Sequence, residues 1–226
     1  MDYTWSFRTV WLFKEALLKG TAVTVELTFL AILFGTAAGV LLAFGRLSRL
    51  KIVCWPSVAF IELFRALPLL VLLVWLYFCL PIVSGVRISA FTTAAIALSM
   101  NLAAFAAETF RAGIEAIPRG QLEVARTLGM TPYQIRTRIV LPQAVRQMMP
   151  ALVGLYVTML KLSSLASVIA VGEVLHAANN IIANTYRPLE VYTAIALIYV
   201  ALVLPATLLS QRLENKALFA RKQRPA

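Results

Sequence analysis

The chain has 226 residues, 61% of them hydrophobic and 14% charged, with a net charge of +11. Soluble domains are about 45–50% apolar, so this composition exceeds what one water-soluble core can bury and implies an integral membrane protein. It also argues against a nucleic-acid binder, because no basic stripe with interleaved aromatics lies outside the apolar segments, and the single histidine, His176, excludes a histidine-rich metal site.

Residues 1–19 alternate Trp5, Phe7, Trp11 and Phe13 with Arg8, Lys14, Glu15 and Lys19. That pattern suits a helix lying on lipid headgroups. Five apolar spans follow: Val23 to Phe44, Pro56 to Val83, Ile88 to Ala107, Gln147 to Gly172 and Val191 to Leu209. Each reaches the ~20 residues that a bilayer core requires. Lipid cannot satisfy exposed backbone groups, so each is expected to be helical. The expectation is an all-α membrane protein with a membrane domain over 20–213 and a basic tail over 214–226. Cys54 and Cys79 sit in apolar surroundings and form no disulfide or metal pattern.

Charge sets the orientation. Segments 46–51, 108–147 and 212–226 together hold fourteen lysines and arginines, against five in the remaining connections and N-terminus. The positive-inside rule then places the N-terminus outside and the tail in the cytoplasm.

One segment interrupts the apolar pattern. Pro118 and Gly120 break the third helix where it leaves the membrane. Gln121 to Leu128 reads as a short helix, ended by Gly129 in the left-handed conformation that glycine enters easily. Thr131 then caps a second helix, with Pro132 first inside it and Gln134 at capping-box spacing. Leu141-Pro142 is expected to close that helix. The result, over about 112–146, is an ordered cytoplasmic platform, read either as a structured loop or as a docking element.

Inside the spans, charges are costly and face a bundle interior or a cavity. Arg65 can pair with Glu62 on its own helix or with Glu108 across helices, as a structural or gate-forming group. Pro68 is expected to kink the span just above. Lys161 sits near the middle of the fourth span, followed by Ser163 and Ser164. It either meets a solute carboxylate, pairs with an acid elsewhere, or lines a solvated pore. Asn101 is a candidate pore group or a helix–helix contact. Gly35 and Gly39 form a G-x-x-x-G, read as close helix packing.

Glu123-Val124-Ala125, then Gly129, then Ile139-Val140-Leu141-Pro142 resembles the EAA motif of ABC importer permeases. Val124 departs from the family's usual alanine. Arg111-Ala112-Gly113-Ile114, Pro118-Arg119-Gly120-Gln121, Leu141-Pro142-Gln143-Ala144 and Glu62-Leu63-Phe64-Arg65-Ala66-Leu67-Pro68-Leu69 are similar to the polar amino-acid permease subfamily. The likeness runs from about Gly20 to Glu214.

This resemblance implies a bacterial inner-membrane permease that pairs with a copy of itself or a related subunit. It implies two cytoplasmic ATPase subunits, which bind the ATP and Mg, and an extracytoplasmic binding protein that delivers the solute. Glu123, Val124, Ala125, Gly129, Ile139, Leu141 and Pro142 would form the ATPase-coupling surface. The family's lysine is often followed by aspartate, where this chain has Leu162. No GxxxxGK[ST] loop occurs here, so ATP would be bound by another polypeptide. No GxSxG or metal-ligand cluster points to an enzyme.

Overall fold

The computed structural model describes the backbone of residues 4–222 and the side chains of residues 4–212. The basic tail expected over 214–226 lies outside the residues whose side chains are described. Every described element is helical. In chain order they are α1 (Arg8–Leu12), α2 (Lys14–Arg46), α3 (Lys51–Ala66), α4 (Leu69–Val74), a π-helical turn (Trp75–Cys79), α5 (Leu80–Ser84) and α6 (Ala90–Glu115). Then come α7 (Arg119–Thr127), α8 (Pro132–Gln134), a π-helical stretch (Ile135–Val140), α9 (Leu141–Leu162), a 3₁₀ turn (Ser163–Ile169), α10 (Val174–Thr185) and α11 (Pro188–Lys222).

Among the described residues, four helical stretches are long and apolar enough to cross a membrane: Lys14–Arg46, Ala90–Glu115, Pro132–Ile169 and Pro188–Arg212. A fifth crossing forms if the pair Lys51–Ala66 and Leu69–Ser84 counts as one span, but its halves meet at 105°. The sequence anticipated a kink at Pro68, not a break of this size. Pro68 has no N–H for the carbonyl of Phe64, and the residue before a proline is pushed out of the helical region. Leu67 is accordingly extended, at φ −79° and ψ 128°. The Asn101 amide of α6 donates to that orphaned Phe64 carbonyl at 3.3 Å. Asn101 is thus a splint across the break.

The helix expected over 1–19 is divided. Only Arg8–Leu12 forms α1, and α2 starts at Lys14 and runs unbroken through the first span. Nothing in Lys14 to Gly20 breaks a helix. The far end of the second predicted span also ends in an αL glycine, Gly85 at φ 71°.

The bundle centres on α2 against α6. Gly35 and Gly39 let the two backbones meet: an added Cβ would stand 2.9 Å from the Leu102 Cβ at one and 2.9 Å from the Ala106 Cβ at the other. Three apolar clusters fill the bundle. The central one includes Leu27, Leu73, Leu98, Leu102 and Met159. A second gathers Leu17, Val174, Val191 and Ile195 at one end. A third gathers Ile61, Ala106, Ala107 and Leu152 towards the other. Many apolar side chains elsewhere remain exposed, Ile52, Ile82 and Phe29 among them. That is expected of a surface solvated by lipid.

Candidate functional site: a built platform and an ion web

The interrupting segment is tightly specified. Gly129 has φ +74°, and two bonds close α7 around it: Met130 N–H to the Ala125 carbonyl at 3.1 Å and Gly129 N–H to the Arg126 carbonyl at 3.0 Å. That is the Schellman pattern. Thr131 Oγ1 accepts from Gln134 N–H at 3.3 Å, while Gln134 Oε1 accepts from Thr131 N–H at 2.9 Å, completing the capping box. Gln143 of α9 donates to Gln121 of α7 at 2.9 Å and fixes the two limbs together.

The second limb does not close at Leu141-Pro142. Helix continues from Pro132 through the π-helical stretch into α9, as one 38-residue unit ending at Ile169. The reason is local: π-type bonding moves each carbonyl's donor one residue along the chain, so the helix can pass Pro142, which has no N–H.

Glu123, Val124, Leu141 and Pro142 are exposed, Ala125 is buried and Ile139 is half-buried. Leu128 and Tyr133 stand out further, 75% and 76% exposed. Gly120, Gln121, Val124, Ala125, Leu128, Met130 and Ile139 line an open apolar hollow of about 400 Å³. Contiguous exposed apolar side chains of this kind are uncommon on a surface that faces water.

Near this end of the bundle the charges converge. Arg46, in the last turn of α2, donates to Glu62 of α3 at 3.0 Å. The same nitrogen lies 3.0 Å from Glu108 Oε2 of α6. Glu108 Oε1 is held by Arg111, which also holds Glu115. Arg65 stands 3.7 Å from Glu62, and its guanidinium lies 5.8 Å from the Phe105 ring centre. The predicted trio Glu62, Arg65 and Glu108 is brought together, but Arg46 is the joint between them. In the sequence Arg46 counts only toward orientation, and Arg111 only toward orientation and the subfamily likeness. A cation closing an apolar span, facing acids on the next two spans, is the signal that could have found Arg46.

Lys161 is exposed at the end of α9, and among the described residues it makes no salt bridge. Ser163 donates to the Leu160 carbonyl and Ser164 to the Lys161 carbonyl, both at 2.8 Å, so both hydroxyls turn back on their own helix. The 3₁₀ turn that follows ends at Ala170, a non-glycine residue at φ 59°.

At the opposite end, two acids the sequence passed over are fully buried. Glu173 caps α10, accepting from Leu175 N–H at 2.9 Å, His176 N–H at 2.7 Å and the Tyr199 hydroxyl at 3.2 Å. Burial, the larger effect, pushes its carboxyl above the usual range, although the two backbone donors and Tyr199 favour the anion. Glu190 accepts from Ser6 N–H and from Arg187, each at 3.0 Å, and Arg187 also donates to the Thr4 carbonyl. Glutamate is a weak cap by preference, so neither role is visible from the chain alone. Among the described residues no cluster of metal-ligating side chains occurs.

A multi-pass helical membrane protein with a structured platform between two spans is the class these features define. Residues 35–218 match the family of binding-protein-dependent transport system inner membrane components, and the chain belongs to that family. It is similar to a probable amino-acid ABC transporter permease of Bacillus subtilis, YckA, with 36% identity over 88% of each chain. It is also 35% identical to the arginine transport system permease ArtQ of the same organism, over 88% of this chain and 91% of that one. Among solved structures, an amino acid ABC transporter crystallised with histidines superposes with a TM-score of 0.89 at 35% identity. That match covers 95% of this chain and all of the other.

Proposed function

We propose that the chain is the membrane-spanning subunit of an ATP-driven importer for polar amino acids or amino-acid-like solutes. The second permease subunit is a copy or a relative. A pair of ATPase subunits holds ATP and Mg, and a binding protein delivers the solute from outside. The chain itself is not an enzyme. The observation that carries this reading is the platform: a Schellman turn and a capping box hold an apolar, outward-facing surface in a chain of this family.

The broken pair α3–α5 counts as one crossing in this reading, giving five spans. The basic segments then place the platform in the cytoplasm and the N-terminus outside, in a bacterial inner membrane. The aromatic residues of 1–19 lie at the outer headgroup level. Glu123, Val124, Ala125, Gly129, Ile139, Leu141 and Pro142 serve ATPase docking. A channel working without ATP would leave this platform without a partner.

Lys161 lines the aqueous path and meets the solute carboxylate. Its exposure within a span, without a salt bridge among the described residues, supports that role, because an unpaired lysine facing lipid is costly and one facing water is not. Ser163, Ser164 and Asn101 shape the path through backbone contacts. Lys161→Met should raise the KM for uptake; an unchanged KM contradicts solute contact. Glutamate, glutamine, basic amino acids and opine-like solutes all carry the carboxylate this reading needs.

The test of the main reading is mild-detergent purification of the tagged chain from its native membrane, with mass spectrometry of what accompanies it. A Walker-motif ATPase should co-purify with the wild type and be lost from Gly129→Trp, whose side chain would need to sit at φ +74°. Absence of any ATPase across several detergents would contradict the reading.

A further inference from the structure

We infer that Arg46 transmits platform motion to the near half of the broken span, α3, by exchanging its guanidinium between Glu62 and Glu108. The inference rests on the reading that the platform receives work from an ATPase.

The geometry favours exchange over a fixed pair. Arg46 ends α2, where the helix C-terminus favours a cation. Its planar fork of donors can turn from one carboxylate to the other without leaving the pair. In this structure Nη1 donates to Glu62 Oε1 at 3.0 Å. Nη1 is equally close to Glu108 Oε2, yet among the described residues that buried oxygen receives no hydrogen bond. The contact has the distance of a bond without its direction. Leaving a buried carboxylate oxygen without a donor is unfavourable by more than an ordinary hydrogen bond is worth. A small rotation of the Glu108 side chain that aligns Oε2 with Arg46 relieves this, and it draws Arg46 from Glu62.

Two further features give the exchange a direction. Glu108 is tied through Arg111 to Glu115, the last residue of α6, three residues before the Pro118 that starts the platform. Movement of α7 therefore reaches Glu108 through one helix end. On the other side, α3 pivots at its base. There Gly45 of α2 meets Ser57 so closely that an added Cβ would stand 2.2 Å from the hydroxyl. Beyond that pivot α3 is held by Ile61, fully buried in the cluster with Ala106 and Leu152, by Arg46, by the Arg65–Phe105 contact and by the Asn101 splint. Meanwhile α2 and α6 are locked by the glycine contacts at Gly35 and Gly39. The ion web is thus the part of the α3 attachment that can change partners without unpacking the core.

The test uses the complete transporter, with its ATPase subunits, in lipid nanodiscs. Cys54 and Cys79 are changed to Ser, and pulsed electron–electron resonance reads two label pairs, Leu33→Cys with Ala59→Cys on α3 and Leu33→Cys with Arg119→Cys on α7. Distances are compared before and after trapping with ATP, Mg²⁺ and vanadate. In the parent both distances should shift. Arg46→Gln should keep the Arg119 shift and lose at least half of the Ala59 shift. Arg46→Gln combined with Glu108→Gln removes the uncompensated carboxylate and restores folding stability, yet the Ala59 shift should stay lost. Arg49→Gln, a neighbouring cation outside the web, should behave as the parent. Persistence of the full Ala59 shift in both Arg46 variants overturns the inference. If the Arg119 distance fails to respond in the parent, the ATPase reading itself fails and takes the inference with it.

Discussion

The two ends of the bundle hold their charges in opposite ways. At the end away from the platform, Glu173 and Glu190 are fully buried. Glu173 is surrounded by three donors, and Glu190 clamps the N-terminal segment to α11. At the platform end, Glu62 is 54% exposed, Arg46 is shared by two acids, and Glu108 is shared by two arginines. Buried, saturated groups fix one geometry, because leaving any donor unpaired is costly. A shared web with an exposed member such as Glu62 costs less to rearrange, although Arg46 and Glu108 are each only 21% exposed. One end is built to stay, and the other has alternatives available.

The largest effect should come from Glu173→Ala, which strips buried acceptors from two backbone N–H groups and Tyr199. We expect a loss of about 3 kcal/mol, read as a thermal midpoint in detergent lowered by ~6–12 °C. Gly39→Leu should follow, at about 1–3 kcal/mol, because its side chain would be driven into Ala106 and the Ala103 carbonyl. Asn101→Ala leaves the Phe64 carbonyl without a donor and should cost about 1–2 kcal/mol; proteolysis near Leu67 should rise with it.

A pH titration sharpens the contrast. The folded chain holds the Glu173 proton to higher pH than the unfolded chain does. Stability should therefore fall as pH rises from the ordinary carboxylate range through the raised folded value, then level off. Glu173→Gln should flatten that part of the curve. The smallest effect belongs to the platform end: Glu62→Gln should change the midpoint by less than about 1 kcal/mol equivalent. A cost at Glu62 as large as that at Glu173 would break the comparison.

Local signals were legible in the sequence; partners across the bundle were not. Gly129 and Thr131 specify their turn through neighbours two to five residues away, so glycine, proline and capping spacing were enough. The spans followed from length and composition. The 105° break was visible only as Pro68, because its angle depends on Asn101 reaching Phe64 from 37 residues away. The passage of helix through Pro142 was hidden because proline ordinarily ends a helix, whereas here the π-helical stretch before it lets the helix continue. Arg46 looked like one of many loop cations. Its role appears only when α2, α3 and α6 are placed together.

Hydrogen–deuterium exchange on the intact transporter, with and without ATP and vanadate, tests the division most directly. Exchange should change over residues 46–66 and 108–142 and stay constant over 14–24 and 171–199. Changes concentrated around Glu173 and Glu190, with a silent platform end, would contradict the account.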